Sequence, residues 1–259
     1  MKRTFLTLFF MALAGSALAA EEGGFKPANT ELGDRASLQR GAKLFMNYCL
    51  SCHSAGYMRY ARMAEDLGLS EAEVQKNLNF TANKFGEPMT VAMSAEQGEK
   101  FFGKAPPDLS VTVRTKEAGP DWIYNYLKSF YLDSKRPSGW NNTVLVNAAM
   151  PNVLWELQGT QAAVFEAKPR GSDGKERNCP SEGTEVEGKC LVKFEPLSKG
   201  VLSPAEFDEA ARDLTAFVQY VGEPAALERH AVGPWVILFL ALFTFIAWLL
   251  KHEYWKDVH

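Results

Sequence analysis

Five residues, Cys49-Leu50-Ser51-Cys52-His53, constrain this chain of 259 residues more than any other stretch. Two thiols two residues apart on a helical turn can reach the two vinyl groups along one haem edge. The imidazole that follows at once can then bind the iron from below, which is the pattern of c-type haem attachment. One such motif implies one covalently bound haem c, with Cys49 and Cys52 as its anchors and His53 as the proximal iron ligand. Zinc sites also use Cys-x-x-Cys, but they need a second ligand pair, and the remaining cysteines, Cys179 and Cys190, lie eleven apart. A thioredoxin-like redox pair has no use for the histidine and expects a strand before its helix.

The two ends say where such a domain works. Residues 1–20 open with Lys2 and Arg3, continue through an apolar run from Phe5 to Ala14, and close on Ala17-Leu18-Ala19. That order predicts a cleaved secretory signal peptide; the apolar run is too short to span a bilayer. Near the other end, Gly233 to Leu250 is free of charged residues, with Trp235 and Trp248 where interfacial aromatics belong. At about 1.5 Å per residue such a run matches a bilayer core, and a buried core helix would seldom be apolar all round. The expected division is therefore a leader (1–20), an exported haem domain (21–228) and a single-pass C-terminal anchor with a short cytoplasmic tail (229–259). Export places the haem domain on the periplasmic side of a bacterial inner membrane. Lys251 and Lys256 beyond the anchor agree with positive-inside, while Arg229 precedes it.

Length alone allows one or two domains. The exported part carries 23 basic against 29 acidic residues, an excess that steers a basic partner if it gathers near the haem edge. No internal repeat, phosphate-binding glycine loop, hydrolytic triad or basic nucleic-acid patch is present, so no nucleic-acid partner is expected.

Along the chain, Asp34 reads as an N-cap, and Leu38, Ala42, Phe45 and Tyr48 recur on one face of a helix that runs into the Cys-x-x-Cys-His turn. Met58 to Leu69 reads as a further helix. Ser70 with Glu73 and Ser94 with Gln97 are capping boxes for two more. Ala105-Pro106-Pro107-Asp108-Leu109-Ser110 excludes helix, since paired prolines remove backbone donors and force an extended path. It can wall a haem pocket or serve as a plain loop. Gly119-Pro120 starts another helix with Ile123, Leu127 and Phe130 on one face. Its aromatics, Trp122, Tyr124 and Tyr126, and the nearby Tyr131, read as core and surface filler. Val164-Phe165 and Leu191 to Phe194 read as two short strands around a polar excursion, within which Cys179 and Cys190 are expected to pair outside the cytoplasm. Ser203-Pro204-Ala205-Glu206 opens an amphipathic helix through Phe207, Ala211, Leu214, Val218 and Val221 that leads almost directly into the anchor.

An electron-transfer haem needs a sixth ligand. His252 and His259 fall across the membrane and His230 at its surface. Met46 precedes Cys49 on the proximal helix. Met58, Met63, Met89, Met93 and Met150 stay open, and Met150 has the most suggestive setting, since Pro151 holds it in extended chain.

Arg40-Gly41, Cys49 to Ser54, Ala105 to Ser110, Ala149-Met150-Pro151 and the anchor ending in Lys256-Asp257-Val258-His259 together resemble the cytochrome c1 family, the haem subunits of ubiquinol:cytochrome c oxidoreductases. The likeness covers nearly the whole mature chain. It implies a mainly α c-type cytochrome domain with loop insertions and a short β-hairpin, plus one C-terminal transmembrane helix. It also implies Met150 as the distal ligand and a basic residue meeting a haem propionate. Arg114 and Lys116 are the candidates, with Lys116 standing where the family commonly has arginine. The partners implied are a cytochrome b subunit, a Rieske iron-sulfur protein that delivers electrons, a soluble cytochrome c that accepts them, and membrane lipid. Two other classes share the motif, a free-standing membrane-tethered shuttle and a haem gas sensor. A shuttle calls for a long flexible linker, a sensor for an open sixth site.

Overall fold

The computed structural model describes residues 24–179 and 184–257. The expected leader lies outside them, as do Val258 and His259.

The frame is a crossing of two helices distant in sequence, α1 (Arg35–Tyr48) and a long C-terminal helix over Pro204–Gly222. Asp34 caps α1, its carboxylate accepting from the backbone of Ala36 and Ser37. Leu38, Ala42 and Phe45 then face inward at helical spacing, and all three are fully buried. They meet Leu214, Phe217, Tyr220 and Val221, with the Phe45 and Phe217 rings 5.3 Å apart. Each buried leucine, phenylalanine or valine side chain among them contributes about 1.5–3 kcal/mol by leaving water. The approach is close because position 41 is glycine: a Cβ there would lie 2.1 Å from the Asp213 carbonyl oxygen. Beside this contact the buried Asp213 carboxylate accepts from Ser37 Oγ at 2.6 Å and from Arg40 Nε at 2.5 Å.

Between the two crossing helices the chain runs β1 (Ala55–Arg59), α2 (Tyr60–Leu67), α3 (Glu71–Asn77), β2 (Pro88–Met89), α4 (Ala95–Phe102), α5 (Thr112–Thr115) and α6 (Gly119–Lys128). It continues as β3 (Phe130–Leu132), β4 (Trp140–Asn142), α7 (Trp155–Gln158), β5 (Gln161–Ala167), β6 (Glu185–Val186) and β7 (Lys189–Pro196), before α8 (Pro204–Gly222) and α9 (Ala225–Tyr254). Ser70, Ser94 and Ser203 each form the reciprocal capping box with the residue three further on.

The strands exceed the expected hairpin. β5 and β7 pair antiparallel with Val164 opposite Lys193, and β6 adds a third strand at β7. β1–β2 and β3–β4 form two further antiparallel pairs. Met58 sits in β1 rather than in a helix, because Ala55 and Arg59 pair with Met89 and Pro88, and α2 begins only at Tyr60. Likewise Phe130 lies in β3, since α6 ends at Lys128. Cys179 and Cys190 form a disulfide between the polar excursion and the start of β7.

α8 stops at Glu223-Pro224, and α9 follows at once. The junction is fastened: Ala226 is buried, and Arg62 pairs with Asp66 on its own helix and with Glu228 on α9. Asp66 also accepts from Tyr220 Oη at 2.7 Å. Among the described residues, Ala231–Tyr254 is the one helix long and apolar enough to cross a membrane, and none of its most apolar stretch is buried in the protein.

Candidate functional site

α1 delivers the motif. After Tyr48 the backbone keeps turning: Cys49 and Leu50 N–H both bond the Phe45 carbonyl, and Cys52 and His53 N–H both bond the Cys49 carbonyl at 3.0 and 2.8 Å. This turn brings both cysteines and the histidine together, and both thiols are free. Cys49 is rooted in the core, where burial, helped by the nearby Cys52, pushes its thiol up to about 12. It is therefore a neutral thiol at physiological pH. Cys52 lines an open cleft of about 230 Å³ shared with Met93, Ser94, Pro106 and Asp108.

The Ala105-to-Ser110 segment lies against the motif and determines how His53 is presented. The His53 Nδ1 stands 2.7 Å from the Pro107 carbonyl oxygen. A carbonyl can only accept, so Nδ1 carries the proton and Nε2 keeps its lone pair for a metal. Burial holds the imidazole below its ordinary value, against the opposing pull of the Pro107 carbonyl and the Asp108 carboxylate. It is thus neutral at pH 7, the form that ligates. The segment itself is strapped down. Leu109 N–H bonds the Ser54 carbonyl at 2.8 Å, Gly56 N–H bonds Asp108 Oδ2 at 2.9 Å, and Tyr57 N–H bonds Ser110 Oγ at 3.0 Å. Asp108 Oδ1 also takes the Ser110 N–H at 2.7 Å. On its other side, Pro106 fills the space a side chain would occupy at Gly98 of α4.

Asp108 is exposed, so its bonds compete with water. Asp108→Ala is expected to lower stability by about 1 kcal/mol and to speed amide exchange at Gly56 and Ser110. Unchanged exchange at both would show that the strap holds without it.

The methionines divide by burial. Met46, Met58, Met63 and Met89 are enclosed in the main core, and Met58 Sδ also faces the Tyr220 hydroxyl at 3.8 Å. Met93 lines the cleft beside Cys52. Met150 is not among the residues lining that cleft; it packs in a separate aromatic cluster of Trp122, Tyr126, Phe130 and Trp140. There Tyr126 Oη lies 3.5 Å from Met150 Sδ, a contact that nothing in the helical spacing of Tyr126 foretold. Arg114 is exposed at the end of α5. The Lys116 ammonium rests 4.1 Å over the Trp122 ring, so of the two basic candidates Lys116 is the one joined to the Met150 cluster.

The donor set fits a c-type haem: two free thiols on one turn, a neutral imidazole with its outer nitrogen free, and a cleft opening beside Cys52. These are the features of the c-type cytochrome class. Comparison with known proteins is more specific. The model of the cytochrome C1 family matches residues 28–258. A cytochrome c1 from Allochromatium vinosum is 47% identical over 99% of this chain and 100% of its own length. A protein from Nitrosomonas europaea named ammonia monooxygenase gamma subunit is 39% identical over 93% of this chain and 92% of its own. The mitochondrial cytochrome c1 haem protein of Schizosaccharomyces pombe is 27% identical over 87% and 68%. The chain belongs to the cytochrome c1 family.

Proposed function

We propose that this chain is the haem-bearing electron-transfer subunit of a quinol-oxidising bc1 complex, taking electrons singly from a Rieske-type iron-sulfur protein and passing them to a soluble cytochrome c. The haem supplies, when bound, a one-electron carrier. The chain's own residues hold and insulate it. Cys49 and Cys52 anchor one haem c as thioethers. His53 Nε2 and Met150 Sδ would hold its iron, and Arg114 or Lys116 would meet a propionate. The oxidoreductase activity belongs to the assembly, in which a cytochrome b subunit is the membrane neighbour.

The observation that carries this reading is the His53 to Pro107 bond beside two free thiols, in a chain of this family. Family membership also sets aside the tethered shuttle and the gas sensor. The fastened junction between α8 and α9 supports a fixed place in a complex, because it leaves no long flexible linker. Residues 1–20 then serve as a leader, 21–228 as a mainly α haem domain on the periplasmic side, and 229–259 as the lipid-embedded anchor in a bacterial inner membrane.

Purification in mild detergent is expected to bring down a quinol-binding cytochrome b with this chain; isolation as a lone monomer counts against the assignment. Within the purified assembly, Met150→Leu is expected to lower the haem potential sharply and open the iron to carbon monoxide. Met93→Leu, at the cleft but outside the proposed ligand set, is expected to do neither. The reverse pattern would transfer the distal role to Met93.

A further inference from the structure

We infer that Tyr126 is a positioning residue for Met150, its phenol fixing where the thioether sulfur points and how strongly that sulfur donates. This rests on the reading of Met150 as an axial ligand. A thioether sulfur has no proton to give, so in the 3.5 Å contact the Tyr126 hydroxyl is the donor and Met150 Sδ the acceptor. Among the described residues no other acceptor meets that hydroxyl.

The phenol has little freedom to turn elsewhere. Tyr126 is 9% exposed. Trp122 stacks on its ring at 4.9 Å and 11° between planes, and Phe130 meets it edge-on at 5.0 Å. Its backbone is held too, since the buried Asn142 side chain donates to the Tyr126 carbonyl at 2.8 Å. Trp122 in turn carries the Lys116 ammonium over its ring. Lys116, Trp122, Tyr126 and Met150 therefore form one line of contacts from solvent to sulfur. Met150 itself sits in loop, outside any helix or strand, so the restraint on its sulfur comes from this cluster.

A hydrogen bond to sulfur draws on the lone pairs that would otherwise be given to iron. Ferric iron demands more of that donation than ferrous iron does, so the bond favours the reduced state and raises the potential. Without it the sulfur gives its lone pair more fully to ferric iron and is harder to displace.

The test uses the intact assembly with four chains: wild type, Tyr126→Phe, Tyr131→Phe and Met150→Leu. Tyr126→Phe keeps the ring, the stack and the fold and removes only the hydroxyl. Tyr131 is a second buried tyrosine whose ring contact is Phe165 rather than the Met150 cluster. In Tyr126→Phe the reduced-to-oxidised ratio at fixed ambient potential is expected to fall by up to about tenfold, 59 mV for one electron. Added imidazole should displace the sulfur from ferric iron only at higher concentration. Tyr131→Phe should behave as wild type in both measurements. Tyr126→Phe with unchanged potential and imidazole affinity overturns the proposal, as does an equal shift in Tyr131→Phe. Met150→Leu separates the two readings: if the red charge-transfer band of methionine-ligated ferric haem survives there, Met150 is not the ligand and the underlying assignment fails first.

Discussion

Serine at both Cys49 and Cys52 is expected to yield a protein whose pigment washes out completely in acidified organic solvent, whereas the wild-type protein keeps its colour through the same extraction. The contrast is expected to be all or none because a thioether is a covalent bond, while the proposed iron contacts of His53 and Met150 would be lost in acid. The two sulfurs contribute from different surroundings. Cys49 is enclosed in the core and its thiol is held neutral, whereas Cys52 borders the cleft. Either single variant should therefore retain colour through the remaining bond. Cys49→Ser should also lose about 1–3 kcal/mol, since it buries a hydroxyl where a weakly polar thiol had packed. A wild-type protein that gives up its pigment in this extraction would remove the covalent reading altogether.

The legible and illegible parts of this molecule differ in how far apart the cooperating residues lie. Asp34, Ser70, Ser94 and Ser203 cap their helices through bonds to residues two or three positions on, so the pattern and the interaction occupy the same short window. The same holds for Cys49 to His53, whose turn is closed by bonds within five residues. β1 could not be read this way. Residues 55–59 lack alternation and become a strand only because Met89 and Pro88 come alongside and Asp108 and Ser110 hold Gly56 and Tyr57. Tyr126 presented the same difficulty: at helical spacing with Ile123 and Leu127 it is indistinguishable from core, and its link to sulfur appears only when a residue 24 positions later folds against it. The signal available in sequence was weak but real, since a buried tyrosine must find a partner for its hydroxyl. The Lys116 contact with the Trp122 ring is likewise visible only in the folded chain, and it leaves the propionate role open between Arg114 and Lys116.

Gly41 is where the fold and the haem motif depend on a single missing atom group. In sequence a glycine inside α1 only weakens the helix, by about 1 kcal/mol relative to alanine. In the folded chain a Cβ at that position would meet the Asp213 carbonyl oxygen at 2.1 Å, its carbon at 2.8 Å and Phe217 Cβ at 2.8 Å. All three belong to or sit directly on the backbone of α8, so no side-chain rotation relieves the clash. Gly41→Ala must push the two helices apart, with an expected loss of about 3 kcal/mol despite the better helix former. Gly41→Val adds two methyl groups to the same gap and is expected to exceed that, reaching a large part of the roughly 5–15 kcal/mol that stabilises a domain. The damage reaches the site because α1 leads straight into Cys49, and its separation from α8 loosens Phe45 from Phe217 and Ser37 from Asp213. The Arg40 to Asp213 pair joins the loss from its Asp213 end, whose carboxylate is buried, although solvent screens the half-exposed Arg40. Gly33→Ala supplies the control: nothing lies within 4 Å of a Cβ there, and its effect should stay within about 0.5 kcal/mol. Thermal midpoints and haem content of the three variants in membranes decide the matter. Gly41→Ala indistinguishable from Gly33→Ala would mean that the crossing of α1 and α8 yields without cost, and that the helix pair does not set the position of the Cys49 to His53 turn.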